Sequence, residues 1–182
     1  MNEFALSRTP AIRFGAGRFA DVPEIVRSLG TSVLLVTGGR SFRESERYAG
    51  LMRRFDEFSI ICAVMTVGGE PSPDLVDRVV EEHREHPVNA VLAVGGGSVI
   101  DAGKAISAML PQTGSVFDYL EGVGTGRKHD GRKVPFIAVP TTAGTGSEAT
   151  RNAVLSRTGA GGFKKSIRHE AFVPDVAVVD PE

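Results

Sequence analysis

A short apolar run that leads through three glycines into a helical pattern is the feature that most constrains how this chain folds. The run is residues 90–94, the glycines are residues 95–97, and apolar side chains at helical spacing continue from Val99 to Leu110. A strand, a glycine turn and a helix start in this order present free backbone N–H groups to an anion, and the helix dipole adds partial positive charge. The stretch predicts a cradle for the pyrophosphate of a dinucleotide. The alternative is a tight strand-to-helix turn without a ligand.

Composition and charge narrow the classes of partner. The chain has 182 residues, the size of one domain, and its net charge of -1 gives no general electrostatic case for binding nucleic acid. No apolar stretch reaches membrane-spanning length, and the N-terminus lacks the apolar core of a signal peptide. We therefore expect a cytoplasmic protein that binds neither nucleic acid nor membranes.

Strand and helix patterns alternate along the chain. The predicted strands are residues 4–6, 11–14, 32–37, 59–67, 90–94, 134–139 and 176–179. The predicted helices are residues 19–29, 44–56, 73–86 and 99–110, with a short one at 116–120. Residues 150–156 and 163–167 form an antiparallel hairpin pattern. The alternation predicts an α/β fold: a doubly wound, mostly parallel, Rossmann-like sheet with helices on both faces, plus short antiparallel hairpins.

A second loop rich in small and hydroxylated residues follows the strand at 134–139. It is residues 140–148, with the sequence PTTAGTGSE. Because parallel strands end at the same edge of a sheet, this loop should lie beside residues 95–98, where ligands of open α/β sheets bind. The alternative is an ordinary flexible loop.

These segments resemble a known family. Residues 95–105, GGGSVIDAGKA, and residues 140–148 resemble the two signature segments of the iron-containing (group III) alcohol dehydrogenases. Residues 14–17 and 174–181 are also typical of that family. The resemblance covers the whole chain in the right order and spacing.

The resemblance implies an N-terminal nucleotide-binding domain followed by an all-helical domain, with the active site between them. Hydride passes between the nicotinamide of NAD or NADP and a small alcohol or aldehyde, and iron or zinc polarises the substrate oxygen. The family's metal ligands, one aspartate and three histidines, lie in the helical domain, and the full-length enzymes are homo-oligomers, typically dimers. This chain stops short of the first ligand. We therefore expect the cofactor half of an oxidoreductase, with no helical domain and no assigned catalytic residue.

The resemblance also implies roles for individual residues. Those expected at the pyrophosphate are Gly96, Gly97 and Ser98. Those expected near the nicotinamide are Thr141, Thr142 and Thr145. Lys164 resembles a lysine that reaches the cofactor ribose or phosphate from the hairpin. Asp101 matches an aspartate of the first motif, and we expect it in the first helical turn, where the dipole stabilises a carboxylate without any ligand.

One departure from the family pattern bears on the choice of cofactor. Many NAD-preferring members carry an aspartate after the strand equivalent to residues 34–37, where it would bond the adenosine ribose. Here the region reads Gly38, Gly39, Arg40 and Ser41. An acidic residue repels a 2′-phosphate, whereas glycine, arginine and serine accept one. The departure favours NADP over NAD.

Three alternatives remain open at the level of the sequence. A maleylacetate-reductase-like enzyme shares the nucleotide domain but uses no metal. A dehydroquinate-synthase-like or glycerol-dehydrogenase-like enzyme shares the architecture, although its glycine motif usually differs after the third glycine. A stand-alone nucleotide-binding module would carry out no chemistry.

The first prediction concerns metal binding by this chain alone. A catalytic metal needs at least three converging protein ligands, and the four histidines, His83, His86, His129 and His169, are scattered along the chain. We expect residues 1–182 alone to bind cofactor weakly, to hold no stoichiometric iron or zinc and to oxidise no alcohol. The same chain extended by a helical domain should bind the cofactor, hold the metal and oxidise the alcohol. Mass-spectrometric metal analysis tests this. One equivalent of tightly held metal, lost on replacing two of these histidines, would contradict it.

Overall fold

A six-stranded parallel sheet forms the centre of the protein in a computed structural model that describes residues 8–182. Its strands are β1 (Ala11–Phe14), β2 (Ser32–Thr37), β3 (Ile61–Thr66), β4 (Ala90–Gly95), β5 (Phe136–Pro140) and β8 (Val176–Val179). Their order across the sheet is β1-β8-β5-β4-β2-β3, and every neighbouring pair is parallel. The predicted sheet is thus confirmed, while the strand predicted at residues 4–6 lies outside the described residues.

Four helices cover the two faces of the sheet. They are α1 (Val22–Leu29), α2 (Glu46–Glu57), α3 (Pro73–Glu82) and α4 (Gly97–Met109). Alternate β2 residues face opposite cores: Leu35 packs with α1 and α2, and Leu34 packs with α3 and α4. This two-sided burial explains the continuous apolar runs. In the part of the chain that the structure describes, no helix combines the length and apolarity needed to cross a membrane.

Single-turn helices and a hairpin complete the fold. The short helices are 3₁₀ turns at Arg18–Asp21, Val116–Tyr119, Ser147–Ala149 and Glu170–Phe172. Strands β6 (Asn152–Arg157) and β7 (Phe163–Arg168) form the predicted antiparallel hairpin as a separate two-stranded sheet.

Some predicted boundaries were wrong by a few residues, for local reasons. Helix α3 ends at Glu82 instead of residue 86, because the N–H groups of His83 and Arg84 bond three residues back and tighten the last turn. Strand β5 begins at Phe136 instead of residue 134, since Pro135 has no N–H to donate to the ladder. Helix α2 begins after Ser45, whose side chain accepts a hydrogen bond from the N–H of Tyr48.

Helix α4 is buried on nearly every side. The sheet lies against one flank, α3 against another, and the first strand of the hairpin covers it as well. Its close approach to the sheet depends on Gly103, where an added Cβ would lie 2.9 Å from both Ala93 Cβ and Phe136 Cε2. The glycine is therefore required by packing.

The second prediction uses this close contact. Gly103→Ala should lower the free energy of unfolding by about 1–3 kcal/mol, because the new methyl group overpacks the core. Gly50→Ala in α2 is the matched control, since the nearest heavy atom to its Cβ is Arg53 Nη2 at 3.8 Å. That change should raise stability by about 0.5–1 kcal/mol. Urea denaturation followed by circular dichroism measures both, and equal stabilities for the two variants would contradict the packing argument.

Candidate functional site

The carboxyl edge of the sheet contains a point where the chain direction diverges. Strands β2 and β4 are neighbours, yet β2 leads to α2 on one face and β4 leads to α4 on the other. Such a divergence leaves a crevice at the carboxyl ends of the two strands, where ligands of open α/β sheets bind. Residues 38–41, 96–98 and 141–145 follow β2, β4 and β5, so the structure brings all three predicted segments to this edge.

The glycine turn is shaped by the loop that packs on it. Gly96 precedes the first residue of α4, and no side chain caps the helix, so the N–H groups of Gly97 and Ser98 remain available to a ligand, while that of Val99 bonds the Gly96 carbonyl. A Cβ at Gly96 would lie 3.3 Å from Thr142 Oγ1, and one at Gly97 would lie 3.0 Å from Thr145 Cγ2. The glycines therefore let residues 141–145, the threonine loop, lie directly against the helix start.

A cavity of about 250 Å³ opens beside the first turns of α4. The predicted site residues that line it are Gly97, Ser98, Asp101, Thr145 and Lys164. Ser147 of the predicted loop 140–148 also lines it, as do four residues that the sequence did not single out, namely Glu70, Pro71, Val154 and Ser156. Glu70 and Pro71 follow β3, so the rule that parallel strands end at one edge is the sequence signal that could have identified them.

The remaining predicted residues lie apart from this cavity. Thr141 and Thr142 line a neighbouring cavity of about 570 Å³, whose apolar walls include Phe14, Phe19 and Val139. Residues 38–41 line neither cavity. Gly38 lies on the other side of the glycine turn, where an added Cβ would be 3.7 Å from Val99 Cγ2.

Asp101 lies in the second turn of α4, so the prediction that it lies in the first turn was wrong. The helix begins at Gly97, earlier than the apolar pattern indicated, and the dipole effect falls off within one turn. Its carboxylate instead accepts a hydrogen bond from the N–H of Val154 at 3.3 Å. Burial raises the pKa of Asp101, and the nearby charge of Lys104 opposes that rise. Asp101 thus links α4 to the hairpin.

Lys164 extends from β7 to Glu70 at the mouth of the smaller cavity. Its ammonium group forms an ion pair with the Glu70 carboxylate, which also accepts a hydrogen bond from the Ser156 hydroxyl. The hydrogen bond from Lys164, and then that from Ser156, holds the pKa of Glu70 below its usual value. Both partners are largely exposed, and exposed ion pairs contribute little to stability. An anionic ligand can therefore compete for Lys164.

The comparisons with known proteins agree with this geometry. Residues 9–181 match the sequence profile described as iron-containing alcohol dehydrogenase.

The chain belongs to the iron-containing alcohol dehydrogenase family.

Relatives within this family include enzymes of known structure. The chain is 31% identical over 183 residues to NADH-dependent butanol dehydrogenase A of Clostridium acetobutylicum, covering 100% of this chain and 46% of that protein. NADH-dependent butanol dehydrogenase A from Thermotoga maritima superposes with a TM-score of 0.87 at 28% identity, covering 100% of this chain and 45% of that one. Sulfoacetaldehyde reductase from Bifidobacterium kashiwanohense, solved in complex with NAD+, gives a TM-score of 0.85 at 33% identity, with coverages of 99% and 47%. The chain therefore spans less than half the length of these relatives.

Residues 8–182 contain no ligand set for the family's metal, because no three His, Cys, Asp or Glu side chains converge there.

The histidines lie closer together than the sequence suggested. The rings of His129 and His169 are 5.7 Å apart, because the connection before β5 folds back on Glu170–Phe172. His129 is buried, not part of a polar surface loop, and burial lowers its pKa. Its Nε2 lies 2.9 Å from the Ala108 carbonyl, and its Nδ1 accepts from the Gly131 N–H. With both nitrogens engaged, His129 is a packing residue.

Proposed function

We propose that this chain provides the cofactor-binding domain of a nicotinamide-dependent alcohol dehydrogenase that acts on a small alcohol or aldehyde. The observation that supports this most is the pairing of an uncapped glycine-rich helix start with a threonine loop at the diverging edge of the sheet, in a member of the family. In this proposal, iron or zinc and most substrate contacts belong to polypeptide outside the described residues. The greater length of the relatives supports that division.

The glycine turn is proposed to hold the cofactor pyrophosphate. The free N–H groups at the start of α4, in the segment of Gly96, Gly97 and Ser98, suit a doubly charged group, and the helix dipole adds to the attraction. Thr145 and Lys164 line the same cavity and can donate to phosphate or ribose oxygens. Asp101 lies in its wall and accepts hydrogen bonds only, so we propose that it bonds a ribose hydroxyl.

The larger cavity is proposed to hold the nicotinamide ring. Thr141 and Thr142 supply hydroxyl groups on one side, and aromatic side chains including Phe14 and Phe19 supply apolar surface on the other. A flat, weakly polar ring suits such a cavity, and its apolar walls would keep water from the ring. The bound cofactor would supply the hydride acceptor, while the protein residues orient it.

The third prediction tests the cradle. Gly97→Val should lower the affinity for NADH and NADPH by about a hundredfold or more, because its side chain would displace Thr145 and shield the N–H groups, each of which contributes about 1.5–3 kcal/mol to binding a charged group. Calorimetric titration of the complete natural polypeptide measures this. Gly50→Val in α2 is the control. If Gly97→Val does not fold, Gly97→Ala carries the test. Wild-type affinity in a folded Gly97 variant would overturn the cradle.

We further propose that the protein prefers NADP to NAD, although the relatives named above bind or use the unphosphorylated cofactor by name. No acid stands at residues 38–41, and Arg40 is exposed at that edge. Arg43 adds a second cation: its Nη1 lies 3.3 Å from Thr66 Oγ1, at the end of β3 beside the end of β2. Two guanidinium groups near one strand end favour a 2′-phosphate.

The fourth prediction tests this preference. A charge-assisted contact to the 2′-phosphate contributes about 1.5–3 kcal/mol, so NADPH should bind roughly tenfold to a hundredfold more tightly than NADH. Gly38→Asp should reverse the preference, and the space around this position accepts a side chain. Gly38→Asn, which has the same shape without the charge, should not reverse it. Tighter binding of NADH by the wild type would refute the proposal.

A further inference from the structure

A lysine that none of the functions above uses is buried in the middle of α4. Lys104 is 1% exposed, and its ammonium nitrogen lies 2.7 Å from the carbonyl oxygens of Ser147 and Thr150 and 3.0 Å from that of Asn152. The Thr150 hydroxyl oxygen is also 3.0 Å away. All of these acceptors belong to residues 147–152, the segment that joins the threonine loop to β6.

Burying a lysine costs free energy, so the groups that compensate for its charge indicate its structural role. A charged group removed from water must be compensated by hydrogen bonds or opposite charge. Here the compensation comes chiefly from backbone carbonyls of a segment that makes few regular backbone hydrogen bonds. Without the ammonium, these oxygens would lose their shared donor inside the protein. Lys104 and residues 147–152 therefore stabilise one another.

Residues 147–152, which Lys104 binds through their carbonyl oxygens, connect two parts of the proposed cofactor site. Before them lies Thr145, which packs against Gly97 at the start of α4. After them comes β6, whose Val154 N–H bonds Asp101 and whose partner strand β7 carries Lys164. Lys104 holds residues 147–152, which lie between these two parts, and it belongs to α4, the helix whose start is proposed to bind the pyrophosphate.

We propose that Lys104 is a positioning residue of the cofactor site: its ammonium group holds residues 147–152 against α4, and so places Thr145 and the hairpin that carries Lys164 beside the helix start. This role rests on the proposed binding of a nicotinamide cofactor at that edge. It differs from the proposed roles above because Lys104 contacts protein carbonyls and faces neither cavity.

The charges around Lys104 give this role a pH dependence. Burial, as the largest effect, lowers the pKa of Lys104 to about 8. Asp101 on α4 and Glu148 beside the threonine loop oppose that fall, and Lys133 before β5 adds to it. The ammonium form has three N–H groups for its acceptors, and the neutral amine has two. Because the pKa in the folded arrangement lies below that of a solvated lysine, release of the proton above about pH 8 favours the folded arrangement. Residues 147–152 are therefore held at least as firmly above about pH 8 as at pH 7.

The test compares Lys104→Met with the wild type in the complete natural polypeptide. Lys165→Met is the control, since Lys165 is an exposed lysine on β7. At pH 7, Lys104→Met should bind NADH and NADPH about tenfold to a hundredfold more weakly, which is the loss expected when one charge-assisted hydrogen bond to the cofactor is misplaced. Lys165→Met should bind as the wild type does.

A conservative variant and a pH series separate positioning by the lysine from a merely structural role. Lys104→Arg keeps N–H donors for the same carbonyl oxygens and should recover part of the affinity that Lys104→Met loses. Because proton release favours the folded segment, the wild type should keep its advantage over Lys104→Met from about pH 7 to 9.5. Equal losses of affinity in Lys104→Arg and Lys104→Met would overturn the proposal, as would wild-type affinity in Lys104→Met.

Hydrogen exchange without cofactor keeps this proposal distinguishable from the proposed function. Peptides spanning residues 141–154 should exchange faster in Lys104→Met, while those from β4 remain protected. In the wild type, once the intrinsic rise of exchange with pH is removed, the same peptides should keep or gain protection above about pH 8, because the lysine is more basic in the open segment than in the folded one. This readout stands if Lys104→Met does not fold. Exchange that Lys104→Met leaves unchanged, or protection that the wild type loses above about pH 8, overturns the positioning role, whereas failure of the wild type to bind either cofactor overturns the proposed function.

Discussion

The close approach of helix α4 to its neighbours is the constraint on which the rest of this structure depends. At Gly95, Gly97 and Gly103 an added Cβ would come within about 3 Å of Val99, of Thr145, or of Ala93 and Phe136. These contacts seat the helix deep between the sheet and the hairpin, which explains why nearly all of its residues are buried. A helix held this firmly can present its uncapped N-terminus at a fixed place, which is what an anion-binding edge requires.

Two lysines at this edge, Lys104 and Lys164, already have partners before any ligand binds. Lys104 is compensated by backbone carbonyls beneath the site, and Lys164 is compensated by Glu70 at its mouth. The two pairs differ in strength because one is buried and the other is exposed. An incoming phosphate can therefore take Lys164 from Glu70 while the buried lysine keeps its partners, so the edge combines a fixed part with an adjustable part.

Family membership and the length of the chain together define what this structure explains. The chain belongs to the iron-containing alcohol dehydrogenase family, and under the proposed function the glycine turn, the threonine loop and the hairpin supply its cofactor side. The relatives are more than twice as long, and no metal-ligand set converges within residues 8–182. Under the proposed function, the contacts that select the alcohol therefore lie outside the described residues.

The sequence by itself determined the parallel α/β fold, the hairpin and the two loops at one edge, because hydrophobic periodicity and glycine turns act between residues close in the chain. It also predicted β4, α4 and the threonine loop within a residue or two of where they lie. Only the tertiary structure decided which side chains meet there. Glu70 and Lys164 are 94 residues apart, and Lys104 reaches carbonyls more than 40 residues away. The tertiary structure also placed His129 beside His169. Such contacts between distant segments depend on how a long connection folds back, which local sequence patterns do not predict.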